Sequence, residues 1–362
     1  MDLWSRIGEE YEQVVFCHDH VTGLRAIVAI HSTALGPALG GTRFYPYPSD
    51  DDALVDVLRL ARAMTYKSAL AGLHLGGGKA VIIGDPAAIK TEALLRAYGR
   101  FINGLGGRYL TAEDVGTTQA DMDLILRETT CVTGISPVLG GSGDPSDATA
   151  EGVWTAMRAV AAHLGSPEGL AGLHVVVSGV GKVGSALVRR LVGDGAKVTV
   201  SDVDAAAVSG LVDDLGVAAT DPGAAHRVSC DIFAPCALGG VINPRTIAEL
   251  RCRAIVGAAN NQLETDGDAA LLAAEGIVYV PDFLVNAGGV INLADELAGY
   301  HRERALASVR RIGETTRDVL DRAARNGMTT VAASLALADD RIAGVSASQR
   351  IRTFDPPTRH QP

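Results

Sequence analysis

The sequence predicts an α/β protein of two domains, the second a doubly wound, largely parallel sheet. Three observations predict it. At 362 residues the chain exceeds what one ordinary core fills. Short apolar runs alternate with stretches of helical period along most of its length. A Gly-, Ser-, Asp- and Pro-rich segment, VLGGSGDPSDAT (138–149), reads as a linker between two different patterns, which sets domains at 1–140 and 141–325.

The elements follow in order. Residues 12–31 alternate as two strands, QVVFCHD and LRAIVAIH, with a turn around His20–Gly23. Residues 51–72 have helical period, with Leu54, Val57, Leu58, Ala61 and Met64–Thr65 on one face and Asp50, Asp51 and Asp52 suited to the positive N-terminus. KAVIIGDP (79–86) is a buried strand stopped by Asp-Pro, EALLRAYGRFINGL (92–105) a helix, and RYLTAED (108–114) a strand running into a loop. After the linker comes a helix at 150–164, then a strand–turn–helix–strand over 173–202. DIFAPC, RAIVGAA and GIVYVPDF are further strands. From residue 303, RERALASVRRIGETTRDVLDRAARNG predicts one long amphipathic helix, and the polar, proline-bearing SASQRIRTFDPPTRHQP is expected to be poorly ordered.

Composition excludes several classes. Apolar residues make 47% and charged residues 20%, an ordinary globular balance. A net charge of -10 without any basic run opposes nucleic-acid binding, which needs a basic face. No run of about 18 apolar residues is present to span a membrane. The stretch MDLWSRIGEEYEQ lacks the apolar centre of a signal peptide. Cys17, Cys131, Cys230, Cys236 and Cys252 form no CxxC pair, so no metal is expected, and their odd number suits a reducing, cytoplasmic setting.

Two places carry chemistry. GVGKVG (179–184) fits G-x-G-x-x-G between an apolar strand and an amphipathic helix. Gly179 permits the tight turn, Gly181 the approach of a pyrophosphate and Gly184 close helix–strand packing, while Val180, Lys182 and Val183 present the free N–H groups of a helix N-terminus. Alone the motif is weak, since glycine turns often only bend the chain. Asp202, at the end of the next strand, adds a carboxylate for ribose hydroxyls that repels a 2′-phosphate, so the expected cofactor is NAD.

The second place holds two lysines. Lys67 lies in MTYKSALAGL, and Lys79 follows three glycines in LHLGGGKAV. A lysine is ordinarily a solvated surface charge. These two stand in apolar settings, where a lysine loses its proton more easily and becomes a base. The spacing of a phosphate-binding P-loop is absent, and Ala80 follows the lysine. Asp114 in TAEDVGT stands at a strand-to-loop junction and, taken alone, reads first as an N-cap or turn aspartate.

Taken together these pieces resemble the Glu/Leu/Phe/Val dehydrogenase family, and within it the leucine and valine dehydrogenases. The matching segments are STALGPALGGTRF (32–44), MTYKSALAGLHLGGGKAVI (64–82), RYLTAEDVGT (108–117), GVGKVG (179–184), FAPCALGG (233–240), VGAANNQL (256–263) and PDFLVNAGGVIN (281–292). The resemblance implies an N-terminal substrate domain, a C-terminal Rossmann NAD-binding domain, a cleft between them for substrate, and a segment at about 325–362 that returns to the first domain. It further implies a homo-oligomer of undetermined size.

The resemblance also implies roles. Lys67 and the backbone N–H groups around Gly40–Gly41 would hold the substrate carboxylate. Lys79 would be the general base toward water, and Asp114 would relay protons beside the amino group. Asn260 and Asn261 would touch the nicotinamide and the amino group, in an order that two adjacent asparagines leave open. Thr149 and the backbone of Ala234–Cys236 would line the nicotinamide pocket. Leu39 stands where the family's glutamate enzymes carry a lysine for the distal carboxylate, and Ala112, Val285 and Val290 would complete an apolar wall. The implied reaction is reversible, NAD-dependent oxidative deamination of valine, leucine or isoleucine to the 2-oxo acid and ammonia. An aromatic amino acid is the rival substrate. A different class, a dinucleotide-binding regulatory protein without turnover, would need none of Lys67, Lys79 and Asp114.

Overall fold

The computed structural model describes residues 7–348 apart from residue 9. The poor order expected of the chain's last stretch therefore lies, beyond residue 348, outside the described residues. The chain divides into two compact units. The first runs to Gly143 and adds Leu293–Arg302 and the chain from Ala338; the second holds Asp144–Asn292 and Glu303–Leu337. The sequence predicts a second domain unbroken over 141–325, whereas the ten residues 293–302 group with the first unit.

The first unit is built on a five-stranded mixed sheet. Its strands are β1 (Gln13–Asp19), β2 (Leu24–Ser32), β3 (Ala38–Tyr45), β4 (Gly76–Ile83) and β5 (Tyr109–Glu113), in the order β1-β2-β4-β3-β5. β1 and β4 run antiparallel to β2, while β3 is parallel to both β4 and β5. β3 escapes the sequence reading because its glycine pair, in ALGGTRFY, breaks the alternation that marks a strand. β4 starts three residues before Lys79, at Gly76, so the glycines belong to the strand rather than to a loop.

Helix α1 (Asp50–Leu70) covers one face of this sheet. Ser49 caps it, accepting from the Asp52 N–H, and the three aspartates fill its first turn. Ala53, Leu54, Val57, Leu58 and Ala61 pack on Ile27, Ala29 and Val81 of β2 and β4. Helix α2 (Glu92–Gly104), capped by Thr91, puts the fully buried Tyr98 into a hydroxyl cluster with Thr42 and Thr111, at 2.5 Å from Thr42. Alternation along the strands therefore sorts the sheet: Leu39, Gly41, Arg43, Gly77, Lys79 and Ala112 share the α1 face, and Gly40, Thr42, Tyr109 and Thr111 the other.

The second unit is a six-stranded sheet whose pairs are all parallel. Its strands are β6 (His174–Ser178), β7 (Lys197–Ser201), β8 (Ala218–Ala219), β9 (Cys230–Pro235), β10 (Cys252–Ile255) and β11 (Val278–Tyr279), in the order β11-β10-β9-β6-β7-β8. That order winds outward twice from β6, which is the Rossmann arrangement. Helix α3 (Ser146–His163) precedes it and starts four residues before the expected 150, because Pro145 accepts the first intrahelical bond from Thr149. The helix expected from 303 is two, α4 (Arg302–Arg310) and α5 (Ile312–Asn326). At Arg311 the backbone bond tightens to Ser308, and beyond it Ile312 and Gly313 seat against α3, where a Cβ on Gly313 would come within 2.7 Å of Thr155.

Candidate active site

In the first unit, Lys79 lies mid-strand on β4, between β2 and β3, and its side chain is only 7% exposed. Its Nζ stands 3.2 Å from Oδ2 of Asp114, just past the end of β5. The same Oδ2 accepts from Arg43 Nε at 2.9 Å, and Arg43 also bonds Asp56 of α1 at 2.8 Å. Asp56 is fixed further by the Tyr47 hydroxyl at 2.7 Å. Neither Arg43 nor Asp56 was singled out from the sequence, although Arg43 stands inside the segment STALGPALGGTRF; its partner is 71 residues away.

Close approach makes this cluster possible. A Cβ on Gly41 would collide with the Glu113 carbonyl oxygen and come within 3.0 Å of Asp114 Cβ. The Asp114 loop is then pinned by Thr117, whose Oγ1 accepts from Asp114 N at 2.9 Å and donates to the Thr42 carbonyl. Burial lowers the proton affinity of Lys79 from its ordinary value; Asp114 opposes this, and the Arg43 charge reinforces it. The result is an amine able to be neutral, held 3.2 Å from a carboxyl oxygen.

Lys67 stands in the last turn of α1, half-buried. A Cβ on Gly77 would collide with the backbone of Thr65, so the end of α1 rests directly on β4 two residues before Lys79. Leu39, in register with Gly77, lies under the same end of the helix. Leu39 and Ala112 are buried, with Ala112 paired to Gly41 across β3 and β5.

In the second unit, Gly179 follows β6 with φ +104°, and its N–H donates to Ser201 at the end of β7. A Cβ on Gly184 would collide with the Gly179 carbonyl oxygen, so only glycine lets the helix Lys182–Gly193 sit this close to the turn. A Cβ on Gly181, by contrast, would meet nothing within 4 Å. That helix has no side-chain cap, and its start suits an outside acceptor. Lys182 is exposed and pairs with Asp144 at 2.6 Å; Val180 is buried. Asp202 accepts from the Asp204 and Val180 N–H groups at 3.0 and 2.7 Å, and these bonds hold its carboxyl below the usual range. An open glycine step, an uncapped helix start and an ionised acid at the end of β7 fit a dinucleotide.

Asn260 and Asn261 lie on an exposed loop held from several sides. Asn261 is the only described non-glycine residue with positive φ, at 51°; its N–H donates to Asp282 at 2.6 Å and its carbonyl accepts from Gly240 at 2.7 Å. The Asn260 side chain accepts from Asn286 Nδ2 at 2.8 Å, and the buried Gln262 ties the loop to the carbonyls of Gly257 and Ala259. Strain held this firmly is typical of ligand sites. Asp282, Asn286 and Gln262 were not singled out, though all three stand in or beside the segments VGAANNQL and PDFLVNAGGVIN. Ala234 is buried in β9, and Cys236, whose thiol burial pushes up to about 11, donates its N–H to Ser178. Thr149 is half-buried in α3, 2.9 Å from where a Cβ of Gly289 would stand. Val285 is buried, its carbonyl against Gly152, while Val290 is half-buried.

Among the described residues no group of His, Cys, Asp and Glu could hold a metal, and no helix is long and apolar enough to cross a membrane.

Comparison with known proteins places the chain in a family. Residues 11–131 match the dimerisation domain of the Glu/Leu/Phe/Val dehydrogenases, and residues 140–211 and 208–349 match the glutamate/leucine/phenylalanine/valine dehydrogenase domain. The chain belongs to the Glu/Leu/Phe/Val dehydrogenase family. As such it is an amino-acid dehydrogenase, an oxidoreductase whose chemistry calls for a nicotinamide cofactor. It is 54% identical to the leucine dehydrogenase of Geobacillus stearothermophilus, covering 92% of this chain and 91% of that one. It is 52% identical to the valine dehydrogenase of Streptomyces coelicolor, over 92% of each. Among solved structures, the L-tryptophan dehydrogenase from Nostoc punctiforme superposes with a TM-score of 0.86 at 42% identity, covering 93% of this chain and 97% of that chain.

Proposed function

We propose that this dehydrogenase oxidises a branched-chain L-amino acid (valine, leucine or isoleucine) reversibly to its 2-oxo acid and ammonia, with NAD as the oxidant. The observation that carries the reading is the buried Lys79–Asp114 pair at 3.2 Å with its Arg43 neighbour. Lys67 and the N–H groups at Gly40–Gly41 hold the substrate carboxylate and so fix the orientation of Cα. Neutral Lys79 takes the proton from the water that attacks the imine carbon, and Asp114 passes protons to and from the departing nitrogen. When bound, the nicotinamide supplies the hydride acceptor. The residues of GVGKVG hold the pyrophosphate, and Asp202 accepts from the ribose hydroxyls and disfavours NADP. Thr149, Ala234–Cys236, Asn260 and Asn261 serve the nicotinamide end and the amino group.

The side-chain preference rests on Leu39. It is apolar and buried, so a substrate carboxylate brought beside it would lose solvation without gaining a cation. Identity above 50% to a leucine and a valine dehydrogenase supports the same choice. The likeness to a tryptophan dehydrogenase keeps an aromatic substrate as the second reading. The family's "dimerisation domain" at 11–131 supports a homo-oligomer.

The test is kcat/KM for valine, leucine, isoleucine, phenylalanine, tryptophan and glutamate, each with NAD and with NADP. The three branched substrates should fall within about two orders of magnitude of one another, since one methylene is worth about 1–3 kcal/mol. Glutamate equal to valine would refute the Leu39 argument. Either aromatic substrate far ahead of the branched three would move the protein to the second reading.

A further inference from the structure

The β3–β4 ladder pairs Leu39 with Gly77 and Thr42 with Ala80 but skips the residues between. The interruption falls on Gly40 and Gly41, where a regular parallel ladder would tie up backbone groups. On the sheet face away from Lys79, directly at this gap, lies Tyr109, fully buried at 0% exposure. Its hydroxyl donates to the Gly40 carbonyl at 2.6 Å. Its ring fits so closely under β4 that a Cβ on Gly78 would come within 2.8 Å of it. Burial raises the proton affinity of this phenol well above the ordinary tyrosine value, so it remains a donor throughout the working pH range.

A peptide unit is planar, with its C=O and N–H pointing in opposite directions. Fixing the Gly40 carbonyl therefore fixes the direction of the Gly41 N–H, in a glycine pair that keeps its register with β5 but not with β4. We propose that Tyr109 is a positioning residue for substrate: its hydroxyl anchors the Gly40–Gly41 peptide from the far side of the sheet, so that the Gly41 N–H is aimed at the substrate carboxylate. The inference rests on the assignment of the carboxylate to Lys67 and the Gly40–Gly41 backbone. Tyr109 belongs to the segment that carries Asp114, and it reaches the site through the backbone rather than by touching substrate.

Tyr109→Phe keeps the ring and removes only the donor. The readouts are leucine KM and kcat, and inhibition by 4-methylpentanoate, which has the carboxylate without the amine, and by 3-methylbutylamine, which has the reverse. The expected result is about three- to tenfold weaker binding of 4-methylpentanoate, the scale of one lost hydrogen bond. Leucine KM should rise in parallel, with kcat within about twofold and 3-methylbutylamine inhibition unchanged. Tyr11→Phe is the control, since that hydroxyl also donates to a backbone carbonyl of the same unit, that of Leu58 at 2.8 Å, and stands outside the Tyr98–Tyr109 hydroxyl cluster. It should leave 4-methylpentanoate binding as in the parent. If Tyr109→Phe does not fold, 3-fluorotyrosine at 109, a stronger donor on the same ring, should tighten 4-methylpentanoate binding, and unchanged or weaker binding overturns the inference. Equal losses in Tyr11→Phe and Tyr109→Phe would mean general packing and overturn it as well. Lys67→Ala separates the two levels. If it weakens 4-methylpentanoate while Tyr109→Phe does not, the inference fails and the carboxylate assignment stands; if neither does, both fail.

Discussion

Lys79→Ala removes an amine that is 7% exposed and 3.2 Å from Asp114. If Lys79 is the general base, kcat should fall by about 10²–10⁴, the usual worth of such a group, which is about 3–5 kcal/mol on the barrier. The fold should survive, because Asp114 keeps Arg43 at 2.9 Å and is not left as a buried unpaired charge. The pH dependence supplies an independent check. Lys79 has a folded proton affinity below the ordinary 10.5. The rising limb of kcat/KM should therefore lie below pH 10.5 and vanish in the variant. The stability effect has a definite sign. Below its folded pKa, Lys79 is charged in both states, and the cost of burying that charge is fully present. Between the folded value and 10.5, the unfolded chain binds the extra proton, so the parent gains stability as pH rises while the variant does not. The assay is NADH formation with saturating leucine, alongside NAD binding and thermal melts from neutral to alkaline pH. Small primary amines added to the variant should restore part of the rate. A variant that keeps half its turnover would remove Lys79 from the role of base.

Three further outcomes follow from the site. Lys67→Ala should raise leucine KM by at least about tenfold, because an ionic partner to the carboxylate is worth about 1.5–3 kcal/mol; an unchanged KM would exclude it from that role. Asp202→Ala should narrow the preference for NAD over NADP, chiefly by weakening NAD, and a parent enzyme that uses both equally well would contradict the premise. Arg43→Leu should move the rising limb of kcat/KM to higher pH, since a cation that lowers the Lys79 proton affinity is gone; a limb that stays in place would show that Arg43 only shapes the loop.

The parts of the fold legible in sequence are those whose causes are local. The turn at Gly179–Gly184 lies within thirty residues that alternate strand, glycine, helix and strand, so period and glycine spacing together leave little choice. β3 was not legible, because Gly40 and Gly41 erase the alternation and its existence is decided by partners 38 and about 71 residues onward, in β4 and β5. The break at Arg311 was hidden for a similar reason: nothing in RRIGE stops a helix, and Gly313 matters only because Thr155 is opposite. Lys79 could be singled out as a residue type in an unusual setting, whereas Asp114 alone reads as a turn aspartate and takes its role from the family resemblance. Arg43 could not, since an arginine in a strand looks like any half-exposed charge until Asp114 and Asp56 are placed around it.

Arg43 also resolves a conflict in the site. A buried lysine alone loses its proton easily but has nowhere to send one; a buried lysine with an undivided carboxylate partner keeps its proton, because the pair is most stable when charged. Here one oxygen of Asp114 serves both cations, at 3.2 Å from Lys79 and 2.9 Å from Arg43. Arg43 thus claims part of the carboxylate's charge and adds a like charge to the amine's surroundings, and both effects favour the neutral lysine. Asp56 and Tyr47 in turn hold Arg43. The sheet face under α1 therefore keeps the Asp114 carboxyl beside Lys79 while lowering the cost of discharging that lysine, and it does so through residues set by strand register.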